Sequence, residues 1–146
     1  MRKANYDKFP STKLTGMLVQ GWDSIISMLK EKMDARKVLA VDLYTGVYEE
    51  EVLGAFSKEF SGRVMNVRDL MKPEKEIQAL TERFMTEDVL FGYVTNLKLE
   101  DYLDADKVAA ARKQISEAKE TIVIIGTGAS VVAPQDAMVV YADMAR

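Results

Sequence analysis

The run Thr121-Ile122-Val123-Ile124-Ile125, closed by Gly126-Thr127-Gly128, narrows the possible folds more than any other stretch of this chain. Its successive β-branched residues leave no polar face, so a strand built from them must be covered on both sides. Val38-Leu39-Ala40-Val41 and Ala137-Met138-Val139-Val140-Tyr141 repeat the pattern, and Arg63 to Val67 is a further short strand. Between these runs the apolar spacing changes to that of amphipathic helices. Leu18, Trp22, Ile25 and Leu29 share one face of a helix ending near Asp34, with Trp22 in the core. Val52, Leu53, Phe56 and Phe60 form a second stripe, stopped by Ser61-Gly62. Ile77, Leu80 and Phe84 point inward from a helix that follows Pro73, a residue suited to a first helical turn. Val108, Ala111, Ile115 and Ala118 mark another helix, whereas Val89 to Leu99 has no clean period. Buried strands alternating with amphipathic helices predict an α/β three-layer sandwich with a mainly parallel sheet.

The length of 146 residues suits one compact domain. Residues 1–36 read as an N-terminal arm and helix, and residues 37–146 as the α/β region. The arm contains Phe9-Pro10, a capping Ser11 or Thr12, and the basic residues Arg2, Lys3, Lys8 and Lys13, read as a solvated tail. Lys and Arg total 20 against 23 Asp and Glu, a net charge of −3 that offers no global basic field for nucleic acid. No apolar run reaches membrane-spanning length and the N-terminus lacks an apolar leader, so a cytoplasmic protein with no membrane partner is expected. The chain has no histidine and no cysteine. That removes the usual zinc ligands, the thiol nucleophile and the common base near neutral pH. No catalytic residue, metal ligand or cofactor is therefore assigned to this chain.

Lys37 to Phe60 reads strand, turn, helix, as a phosphate-binding loop would. Such a loop needs glycine-crowded N–H groups, a lysine for the phosphates and a Ser/Thr for Mg²⁺. The turn from Asp42 to Tyr48 has one glycine, Gly46, and Glu49-Glu50-Glu51 stand where lysine and serine belong. Those carboxylates repel phosphates; as first-turn residues they suit the positive end of a helix dipole and face solvent. Thr45 and Gly46 are candidate ligand contacts. Gly126-Thr127-Gly128-Ala129-Ser130-Val131 carries the first two glycines of a dinucleotide fingerprint, with Val131 at the third position and Pro134 cutting the helix short. Sharp turning at a strand end explains those glycines more simply. Gly126, Gly128 and Ser130 are kept as candidate ligand contacts, as is Asp69, which follows a strand's carboxyl end and also suits a cap. Asp101, Asp104 and Asp106 lack the glycine and distant glutamate of a calcium loop and suit a helix N-cap.

The order of elements over most of residues 37–146 resembles the uridine-kinase-like branch of P-loop proteins. Val38–Val52 matches the phosphate-loop position, Val64–Pro73 the segment bearing that family's substrate-side aspartate, Ile122–Gly126 its later buried strand, and Met138–Asp143 the strand running toward the lid. The resemblance implies a P-loop NTPase-like fold whose phosphate loop is degenerate. Asn5-Tyr6-Asp7-Lys8-Phe9-Pro10, Gly21-Trp22-Asp23 and Tyr141-Ala142-Asp143-Met144-Ala145-Arg146 are similar to the amino-terminal extension of large mannose-6-phosphate isomerases of Bacteroides-like bacteria. In that family a cupin-type isomerase module follows the extension and holds the catalytic metal through His, Glu and Gln. This second resemblance implies a non-catalytic accessory domain, acting in assembly or ligand sensing, whose partner is the downstream isomerase domain or a second copy. Because a parallel sheet normally needs helices on both faces and no closing helix follows the last strand, a covering helix beyond Arg146 is also expected. Two other functions fit the residues: an atypical small-molecule or nucleoside kinase using the Gly46 or Gly126–Ser130 turns, and a free-standing interaction module drawing on the chain's nine methionines.

Overall fold

The computed structural model describes residues 11–143 except Leu14 and Asp34. The elements run α1 (Trp22–Met33), β1 (Val38–Leu43), α2 (Glu49–Glu59), β2 (Arg63–Asn66), α3 (Glu74–Thr81), α4 (Ala105–Glu117), β3 (Ile122–Gly126), α5 (Ala129–Val132) and β4 (Met138–Ala142). The four strands form one sheet in the order β2-β3-β1-β4, and every pairing is parallel. This is the α/β layering that the uninterrupted apolar runs require. β1 and β3 are buried along their whole lengths because each has a strand on either side and helices above and below.

Alternation along these central strands builds two cores. Leu39, Val41, Leu43, Val123 and Ile125 face α1 and α2, where Ile26, Leu29, Met33, Val52, Phe56 and Phe60 meet them. Val38, Ala40, Ile122 and Ile124 face the opposite way, toward Val108, Ala111 and Ile115 of α4 and Ala129 and Val132 of α5. Each Val, Leu, Ile, Met or Phe among them, removed fully from water, contributes about 1.5–3 kcal/mol. Trp22 is half-buried at the rim of the first core, edge-on to Phe56 with ring centroids 6.4 Å apart. Its indole N–H donates to Glu51 at 3.0 Å.

Several boundaries differ from those expected. The first helix begins at Trp22, so Leu18 stands outside it and is 82% exposed, and Ser11 and Thr12 cap no helix. Asp34, Phe9-Pro10 and residues 144–146 lie outside the described residues. β1 continues through Asp42 and Leu43, which the sequence had suggested for a turn. Neighbouring strands on both sides extend the ladder past the apolar run. Val67 leaves β2 for a short 3₁₀ turn, Val67–Leu70. α3 buries none of its residues, and Ile77 and Leu80, expected to point inward, are only half-covered. Asp104 caps α4 as expected, accepting from the Asp106 and Lys107 amides at 3.0 and 3.1 Å. Residues 85–98 are irregular and leave Met85, Val89, Leu90, Phe91, Tyr93 and Val94 exposed.

Candidate functional site at the carboxyl end of the sheet

β1 and β3 are neighbours, yet the helices that follow them cover opposite faces: α2 the first core, α5 the second. Their divergence opens a crevice at the strands' carboxyl ends, where open α/β sheets hold their ligands. A cavity of about 380 Å³ occupies it, lined by Tyr44, Thr45, Gly46, Glu49, Arg68 and Thr127 among others. The sequence candidates Thr45 and Gly46 are therefore brought beside Thr127, whose hydroxyl donates to the Leu43 carbonyl at 3.0 Å. Asp69 is exposed on the 3₁₀ turn and does not line the cavity.

Gly126, Gly128 and Ser130 form the turn from β3 into α5, and the Gly128 and Ser130 amides are already committed within the chain. Asp42, the buried charged residue at the end of β1, accepts from the Gly128 amide at 2.9 Å and from the Ser130 amide at 3.0 Å. The Ser130 hydroxyl donates to the same carboxylate. The backbone here needs both glycines. Gly128 sits at φ +86°, and a Cβ on Gly126, at φ +137°, would lie 2.8 Å from the Val67 side chain. Thus the strand ends, the turn is sharp, and the amides at the start of α5 point at a carboxylate that the chain itself supplies. An anion belongs at such a place, since unsatisfied N–H groups concentrate positive potential there.

The start of α2 shows a parallel arrangement with the charges reversed in origin. Glu49 is half-buried and does not face solvent, unlike Glu50 and Glu51. Its carboxylate accepts from the Asn66 side-chain amide at 2.8 Å and lies 3.4 Å from the Arg68 guanidinium. Asn66 in turn accepts from the Arg68 amide at 2.8 Å, which holds both partners on the end of β2. The start of α2 is thus tied to the end of β2 by an internal carboxylate clamp. On the other side of β1, the Tyr141 phenol is raised above its ordinary 10.0, first by partial burial and then by Asp143, Tyr44 and Asp42. Among the described residues, no group of three or more Asp and Glu side chains is placed to hold a metal ion.

Two functional placements were not anticipated from sequence. Local sequence places Asp42 in a turn, although a lone acid ending an apolar strand opposite a Gly-x-Gly turn is the signal that marks it. Arg68 carried no local signal, because its partner Glu49 is on another element. The chain belongs to the family DUF8485, described as a domain of unknown function, whose model matches residues 21–146. No curated protein and no solved structure matches it.

Proposed function

We propose that this chain is a non-catalytic, P-loop-like accessory domain of a sugar-phosphate isomerase of the mannose-6-phosphate type. The observation that carries the non-catalytic part is the Asp42 carboxylate seated on the Gly128 and Ser130 amides. A phosphate bound at the Gly126–Ser130 turn would have to displace that carboxylate, and one bound in the crevice would sit beside Glu49 and Glu50 without a lysine. Phosphoryl transfer is driven by positive groups gathered on the phosphates, and this crevice gathers acids. The parallel sheet and its crevice are compatible with descent from a nucleotide-binding module whose loop lost its chemistry.

The link to an isomerase rests on the resemblance of the amino-terminal and carboxyl-terminal segments to that family's extension. Assembly is favoured over sensing by the irregular segment that leaves Leu90, Phe91, Tyr93 and Val94 exposed, since grouped apolar side chains of that kind mark contact surfaces. Calorimetric titration with Mg-ATP, Mg-GTP and mannose 6-phosphate, together with kinase and isomerase assays, tests the reading. The expected result is no nucleotide binding and no turnover by this chain alone. Saturable Mg-ATP binding accompanied by phosphoryl transfer overturns it in favour of the kinase alternative.

A further inference from the structure

We infer that β4 is the contact edge of a two-fold symmetric dimer, with the β4 of a second copy of this chain running antiparallel beside it. β4 lies at one edge of the sheet, and among the described residues no strand pairs with its outer side. One bond sets the direction of its backbone groups: the Tyr44 amide donates to the Ala142 carbonyl at 2.9 Å, so Ala142 faces β1. Successive residues of a strand point their N–H and C=O groups to opposite sides. Met138 and Val140 therefore also face β1, and Val139 and Tyr141 present theirs outward. Such an unpaired row is a template for another strand. Sheet edges are normally guarded by charged side chains or proline, and Met138-Val139-Val140-Tyr141-Ala142 contains neither.

The same alternation requires outward-facing residues to oppose one another, and the register inferred here is the one centred on Val140. A two-fold axis through Val140 sets Val139 against the partner's Tyr141, and Tyr141 against the partner's Val139, each pair exchanging both backbone bonds. Each pair also joins an aromatic to a β-branched side chain, a favourable cross-strand combination. Both side chains lie on the face shared with Ala40, where no helix covers β4. Val139 is 55% and Tyr141 60% exposed there, so the pairing covers the large side chains that this strand leaves open.

Sedimentation velocity of the full chain over a concentration series tests the dimer, with Val139→Pro and Tyr141→Lys as edge variants. Because the Val139 amide points outward, proline removes an edge donor and leaves the β1 ladder intact. The native chain is expected to reach twice the monomer mass and both variants to remain at the monomer mass. A monomeric native chain at every concentration, or native-like dimers in both variants, overturns the inference. Cross-linking checks the register without relying on a disruptive substitution, because the chain has no cysteine of its own. At the axis, residue 140 meets its own copy across a non-hydrogen-bonded pair, with a typical Cα separation of about 4.5 Å that a disulfide spans. Val140→Cys is expected to oxidise to a covalent dimer well ahead of Val139→Cys. Equal or reversed yields overturn it.

Discussion

Replacing Asp42 asks whether the carboxyl end of the sheet is held together by an anion of its own. In the native chain the carboxylate accepts from the Gly128 amide at 2.9 Å, the Ser130 amide at 3.0 Å, and the Ser130 hydroxyl. A hydrogen bond to a charged group contributes about 1.5–3 kcal/mol, and a buried donor left alone costs about 1–3 kcal/mol. Gly128 is buried, so no water takes over when its acceptor goes; Ser130 is exposed, and water recovers part of its loss. Asp42→Ala is accordingly expected to destabilise by roughly 3–5 kcal/mol, a large share of the ~5–15 kcal/mol typical of a domain. Asp42→Asn keeps one acceptor but turns an NH₂ group toward the other amide, and is expected to lose roughly 2–3 kcal/mol. Ser130→Ala removes only the hydroxyl bond, about 1 kcal/mol. Urea unfolding followed by the fluorescence of the single tryptophan, Trp22, reads all three. The reasoning fails if Asp42→Asn lies within about 0.5 kcal/mol of the native chain, the range of an unimportant surface change. A second arm separates this clip from general packing. With the carboxylate gone, the Gly128 and Ser130 amides are open to an external anion, so sulfate should raise the Asp42→Ala midpoint more than the native one.

Three further outcomes follow from the same geometry. Gly126→Ala drives a Cβ to 2.8 Å from Val67 at φ +137°, and thermal unfolding should show a loss of about 2 kcal/mol or more. Phe56→Ala empties a site 1% exposed between Trp22 and Phe60, with an expected loss of about 3–5 kcal/mol in urea. An unchanged midpoint in either variant would contradict the described packing. For Tyr141 the raised phenol favours the neutral form in the folded state. Its contribution is complete below the unfolded value near 10.0 and is lost as pH rises through the higher folded value. Ultraviolet titration of the native chain against Tyr141→Phe should show the late-titrating phenol missing from the variant; an unchanged curve refutes the shift.

The layers of this fold were readable from local pattern. Ile122 to Ile125 and Val38 to Val41 have no polar face, and burial on both sides is the one arrangement that removes them from water. Val108, Ala111 and Ile115 recur at the spacing of one helical face, so α4 and its inward side followed from sequence alone. The stop at Ser61-Gly62, the cap at Asp104 and the short helix before Pro134 were equally local matters of backbone chemistry. α3 misled for the same reason: Ile77 and Leu80 have helical spacing, but spacing does not say whether a sheet lies beneath. Strand order, the crevice between β1 and β3, and the identity of its occupants depend on contacts between distant residues. Asp42 meets Ser130 only because β1 and β3 pair in parallel with Asp42 level with Gly126. Glu49 meets Asn66 and Arg68 only because β2 ends beside the start of α2. Periodicity is a property of neighbours along the chain and records burial. A carboxylate's partner is chosen by register between strands, and that is settled only when the sheet assembles.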